Sequence, residues 1–234
     1  MPITSCNDDF KEIKKYFEET HNISIPFKSK NINTIKKTHE TVYSYLIFKS
    51  KLKANNKANI FLSEMQSDYL QLMSLLLKGY DKLAMILLRD ILENTLKFIY
   101  YFDHPIEFIL LEDKNKNYIS FEDLIRYVCE HPELKHHSEK LQLLSRIKTK
   151  YSELSKYIHS KDCNYMQLIK YLKQIKFNKI ICDKFLVEFK QIHSTIMTLL
   201  ILFLYEKYSL LSIPDRRFIL NSISKADKRY LASL

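Results

Sequence analysis

The sequence predicts an all-α fold, a bundle of four to five core helices with a helical N-terminal extension. Three observations carry this. Apolar residues recur at helical spacing over most of the chain from residue 60 onward. The 234 residues include a single glycine, Gly79. Proline is also scarce, with 5 residues, while Leu, Lys, Ile and Glu abound. A phosphate-cradling loop, a dinucleotide-binding turn, a nucleophile elbow and a hairpin-rich β fold all need glycine, either for positive φ or for close backbone approach. Near-absence of glycine therefore excludes those classes together.

The elements follow in order. Short helical patterns occupy 10–19 and 34–53, separated by an extended piece over 23–27 that contains Pro26. The Asn-rich stretch 55–59 reads as a joint. Strong helical periodicity then covers 62–78, a turn falls at Gly79, and a second strong helix covers 81–102. Asp103-His104-Pro105 ends it, because the residue before proline avoids α geometry. Residues 112–117 (EDKNKN) read as a solvated loop. Ser120, with Asp123 three residues on, caps a helix that stops near His131-Pro132. A further helix covers 138–160, a short basic helix or linker 163–178, and a long apolar helix 184–211. Pro214 is expected to break that helix and leave a basic tail. The organisation is thus 1–59, a polar helical extension; 60–212, the bundle; and 213–234, the tail.

The net charge of +10, with 37 Lys and Arg against 27 Asp and Glu, suggests an anionic partner such as nucleic acid. An A+T-rich coding bias would raise lysine equally, and the lysines are spread along the chain. Cys6, Cys129, Cys163 and Cys182 show neither CxxC pairing nor zinc spacing, and read as reduced thiols. The N-terminal stretch lacks the apolar core of a signal peptide. The uncharged run 191–205 is shorter than the roughly 20 residues that cross a bilayer. A cytoplasmic location with no membrane association is expected.

Two polar rows stand inside apolar stripes. On the helix over 81–102, Arg89 and Glu93 are an i,i+4 pair flanked by Met85, Leu92 and Leu96. On the helix over 138–160, Tyr151, Ser155 and His159 follow at i,i+4,i+8 beside Ile147, Leu154 and Ile158. Buried polar groups are costly unless paired, so the rows are expected to meet as one Arg89–Glu93–Tyr151–Ser155–His159 cluster. Such a cluster either fixes helix register or forms a site, with a histidine titrating near neutral pH beside an anion-holding arginine. His131, His136 and His137 lie near Cys129 without a matching ligand pair, so no metal is expected there. His193, within the apolar run, reads as a hydrogen-bonded core histidine.

The segments LLRDILENTLKFIYY and YSELSKYIHS resemble helical proteins of the HEPN superfamily, where an Arg-x-x-x-Glu helix precedes a Tyr-x-x-x-Ser-x-x-x-His helix. The likeness covers roughly 60–205. It implies a dimeric helical bundle of a prokaryotic defence or toxin–antitoxin system, without cofactor, that binds RNA and in its active branch cleaves it without metal. On that reading His159 acts as general acid or base, Arg89 stabilises phosphoryl charge, Tyr151 and Ser155 orient, and Glu93 holds Arg89. The active branch carries Arg-x4–6-His, which Arg126 and His131 match formally. Tyr127 replaces the usual polar neighbour, however, Pro132 ends the helix, and the five-residue offset separates the two side chains by about 140°. Arg126 and His131 therefore read as a surface arginine and a helix-end histidine. The rivals are a non-catalytic sensor or scaffold subunit with a protein partner, and a helical regulator that binds duplex DNA.

Overall fold

A computed structural model describes residues 5–52, 56–113, 119–159, 163, 166 and 168–234. Among these residues the chain is α-helical, with twelve α-helices, two 3₁₀ turns and no strand. Residues 114–117 of the loop expected over 112–117, the joint at 55, the helix end at 160 and part of 163–178 lie outside the described residues, while Glu112, expected in that loop, is helical.

Helix α1 (Cys6–His21) begins earlier than the apolar pattern suggests, because Ser5 accepts from the Asp8 N–H and sets the N-terminus. A 3₁₀ turn at Ile25–Phe27 replaces the expected extended piece. Helix α2 (Ile32–Lys51) carries Tyr45 and Phe48, both fully buried. It belongs to the main core and is not an arm. Helix α1 and the 3₁₀ turn cover a smaller core of Phe10, Phe17, Phe27, Ile35, Met73 and Leu77.

Helices α3 (Asn59–Lys78) and α4 (Asp81–Asp103) pack as an antiparallel hairpin around Gly79. Gly79 has φ +84°, and the Tyr80 N–H closes onto the Leu75 carbonyl at 2.8 Å, the bond of a glycine-terminated helix end. A side chain at 79 would also run into the Lys176 backbone. The lone glycine therefore stands where both φ and space demand it.

Helix α4 is the centre of the bundle, packed against α3, α6 (Phe121–Glu130), α8 (Leu143–His159) and α9 (Lys179–Phe203). Pro105, expected only to stop α4, also opens the short α5 (Pro105–Glu112); its missing N–H costs nothing at a helix start. The helix expected over 138–160 is two, α7 (Lys135–Leu141) and α8, divided at Gln142 with φ 51°. Helix α9 is long and apolar enough to cross a bilayer by length and composition, yet 72% of its apolar window is buried inside the protein. It is the core helix. It ends at Leu204 and the chain continues as α10 (Tyr205–Ser209).

The C-terminal region differs from expectation. Pro214 does not leave a tail; it sits in the first turn of α11 (Ile213–Asn221), capped by Ser212, and α12 (Lys225–Leu231) follows, capped by Ser224. One local device recurs at α1, α6, α11 and α12: a serine hydroxyl accepts the N–H of an aspartate three residues on. Each such cap contributes about 1 kcal/mol, and the aspartate also favours the helix N-terminus electrostatically.

Candidate functional site

Helices α4 and α8 bring four of the five expected residues together. Arg89 Nε donates to Ser155 Oγ at 3.2 Å, and its Nη2 donates to the Tyr151 hydroxyl. Nη2 also lies 3.5 Å from Glu93 Oε2, and Nη1 3.4 Å from Asp90 Oδ1. The Tyr151 hydroxyl in turn donates to Glu93 Oε2 at 3.2 Å, and Lys97 reaches Glu93 Oε1 at 2.8 Å. The guanidinium stands 4.5 Å from the centre of the Tyr151 ring, which stacks on Phe121 from α6. The ring thus holds the arginine by face and by hydroxyl at once.

Two properties decide what this arrangement can do. Its charge is balanced, with Arg89 and Lys97 set against Asp90 and Glu93. Burial pushes the Glu93 carboxyl up, but the Lys97 and Arg89 cations and the Tyr151 hydroxyl outweigh it and hold the acid below its ordinary range. Glu93 is therefore a fixed anion at neutral pH. The arginine is also largely covered, its side chain 20% exposed and that of Glu93 14%. Each of the three guanidinium nitrogens donates one hydrogen bond, to Ser155, Asp90 and Tyr151, and two of the five N–H groups are left over, one of them beside the Glu93 carboxylate.

His159 does not join. It stands exposed on the last residue of α8, and no hydrogen bond links it to a described residue. The reason is register. Because α4 and α8 run antiparallel here, Glu93 meets Tyr151 and Arg89 meets Ser155. One turn further along, α4 presents Met85, which offers a histidine no strong partner. The spacing on α8 was legible; the polar row on α4 is one residue too short to match it.

Arg126 and His131 are also apart in role. Arg126 is 69% exposed and pairs with Asp123. His131 is buried at the end of α6, with Nε2 3.0 Å from Asp103 Oδ2 and its ring against Phe203. His137 bonds the Tyr230 hydroxyl at 2.6 Å. Among the described residues no group of three or more His, Cys, Asp or Glu is placed to hold a metal.

A second arrangement was not visible in the sequence. Helices α2, α8, α9, α11 and α12 border a cleft of about 910 Å3. Arg146 in its wall donates from both terminal nitrogens to Asp227, at 3.0 Å each. Asp227 is 2% exposed and also accepts from Ser194 at 3.0 Å. Ser194 Oγ accepts the Ser224 N–H at 2.7 Å, so α8, α9 and α12 share one network. The Ser224–Asp227 cap was readable from its spacing. Arg146 carried no signal, because its partner lies 81 residues away.

Among the described residues the chain is thus an all-α bundle with a charge-balanced interhelical cluster and a separate cleft lined by lysines. No protein-family model, curated protein or solved structure gives a significant match to the chain.

Proposed function

We propose that the chain is a HEPN-like helical binding module, a sensor or scaffold subunit of a prokaryotic defence or toxin–antitoxin system, in which the Arg89 row is structural and not catalytic. The observation that carries this is the enclosure of Arg89 in a charge-balanced cluster with Tyr151, Ser155, Glu93 and Asp90, with His159 outside the cluster. A metal-independent ribonuclease needs an arginine free to meet phosphoryl oxygens and a histidine beside it. The expected partner is a second copy of the chain. An exposed apolar strip on α5 supports it, with Ile106 70%, Ile109 51% and Leu110 41% exposed.

RNA binding remains a second reading, favoured by the charge of +10 and by the basic wall of the cleft. It entails binding without cleavage at Arg89.

The test is incubation of single-stranded RNA with wild type, His159→Ala and Arg89→Ala, with sedimentation of the same preparations. The three proteins are expected to leave RNA equally intact, and wild type to sediment as a dimer. Cleavage by wild type that His159→Ala abolishes would return the row to catalysis, and a monomer at micromolar concentration would remove the dimer.

A further inference from the structure

The cleft gathers three lysines that form no ion pair with a described residue. Of its lysines, Lys150 is held by Glu188 at 2.6 Å and Glu153 at 3.0 Å. Lys37 from α2, Lys190 from α9 and Lys225 from α12 line the same cleft and form no ion pair with a described residue. All three are exposed. Glu40 is the one carboxylate in the described wall. Like charges brought to one concavity from three distant stretches of chain repel and focus a positive potential there. A bound anion is what would offset that repulsion.

The wall adds two features that narrow the anion. The exposed hydroxyls of Ser145 and Thr149 border the cleft and can donate to oxygen. Phe218 is half-buried in the same wall, its ring in T-shaped contact with Tyr43 at 5.7 Å between centres. The volume of about 910 Å3 lies in the range of small-molecule sites, roughly 300–1,000 Å3. The Arg146–Asp227–Ser194 network beneath it fixes three of its helices, so the wall is preorganised.

We propose that this cleft binds a phosphate ester of nucleotide size, with Lys37, Lys190 and Lys225 meeting the phosphate oxygens and Phe218 taking the flat ring. The same chemistry is offered by a free nucleotide and by one residue of an RNA strand. The site is independent of the Arg89 cluster, and its fate does not hang on the scaffold reading.

The experiment titrates the full chain with ATP and, separately, with a short single-stranded oligoribonucleotide at low salt, following heat of binding. The double variant Lys190→Glu/Lys225→Glu is compared with Lys14→Glu/Lys15→Glu, which makes the same charge change on α1, outside the cleft. The cleft variant is expected to raise Kd by about tenfold or more, while the α1 variant changes it by less than about twofold. Tighter binding of ATP assigns the site to a free nucleotide; tighter binding of the oligoribonucleotide assigns it to a strand. Absence of binding by both probes, or equal weakening by the two variants, overturns the proposal. Unchanged melting of the cleft variant, expected because both lysines are exposed, separates a lost site from a lost fold.

Discussion

Asp227→Ala is expected to lower the free energy of unfolding by about 3–5 kcal/mol, the cost of breaking a buried ion pair from one side. The carboxylate is 2% exposed and holds both terminal nitrogens of Arg146 and the Ser194 hydroxyl. Its loss leaves the guanidinium and the hydroxyl without their acceptor and removes the only carboxylate of the α12 first turn. For a chain of 234 residues this corresponds to a fall in Tm of roughly 6–20 °C. Asp227→Asn keeps one acceptor oxygen and is expected to cost less than the alanine variant. Ser5→Ala, which removes an exposed cap of the same Ser-x-x-Asp type, is the scale: about 1 kcal/mol. An Asp227→Ala loss no larger than that of Ser5→Ala contradicts the network.

The second large effect is in pH dependence, and it involves two buried groups of opposite sign. His193 is fully buried, with Nε2 2.9 Å from Ser44 Oγ and 3.1 Å from Ser222 Oγ, and Nδ1 2.9 Å from the Tyr69 hydroxyl. Burial pushes its pKa down to about 3. Below the ordinary value near 6.5 the unfolded chain takes up a proton that the folded chain refuses. Stability therefore falls with acid by about 1.4 kcal/mol per pH unit between roughly 6.5 and 3. Asp68 is buried too, and one of its oxygens has no hydrogen-bond partner among the described residues. Burial, with Glu64 and Asp90 adding repulsion, raises its pKa to about 7. Here the folded chain keeps a proton that the unfolded chain gives up, so this contribution is full below the ordinary value near 3.8 and is lost as pH rises toward 7. Between about pH 4.5 and 6.5 the two slopes cancel. Asp68→Asn is expected to unmask the histidine, so that over those two units its stability falls by roughly 3 kcal/mol relative to wild type as pH is lowered. His193→Gln is expected to do the reverse. Denaturant melts of the three proteins at pH 4.5, 5.5 and 6.5 measure it. Parallel profiles for wild type and Asp68→Asn contradict the assignment.

What the sequence made legible follows what local physics controls. The helical class followed from periodicity and from the single glycine, and Gly79 stands where a turn was read. Ser120 caps its helix as its spacing with Asp123 suggested. The Arg89–Glu93 and Tyr151–Ser155 pairs were legible because a polar row in an apolar stripe needs a partner, and two such rows were present. Proline was the least transparent residue. Pro105 and Pro214 were read as stops, and both open helices, since one ring geometry serves either end of a boundary. Whether His159 reached the cluster depended on the antiparallel register of α4 and α8, which no local pattern encodes. The cleft depended on still longer separations: Lys37, Lys190 and Lys225 are adjacent only once α2, α9 and α12 have packed.

On the function proposed above, the Arg89 row locks α4 to α8. A double-mutant cycle in chemical denaturation, with Arg89→Met, Tyr151→Phe and the pair, tests it most directly. The lock predicts that Arg89→Met costs about 1–3 kcal/mol and that the two changes are coupled by roughly 1 kcal/mol or more. The Tyr151 hydroxyl both receives Arg89 and donates to Glu93, so its loss matters less once the arginine is gone. An Arg89→Met protein more stable than wild type, with coupling within about 0.3 kcal/mol of zero, would contradict the lock. It would mark Arg89 as a residue held at a cost in stability for a function.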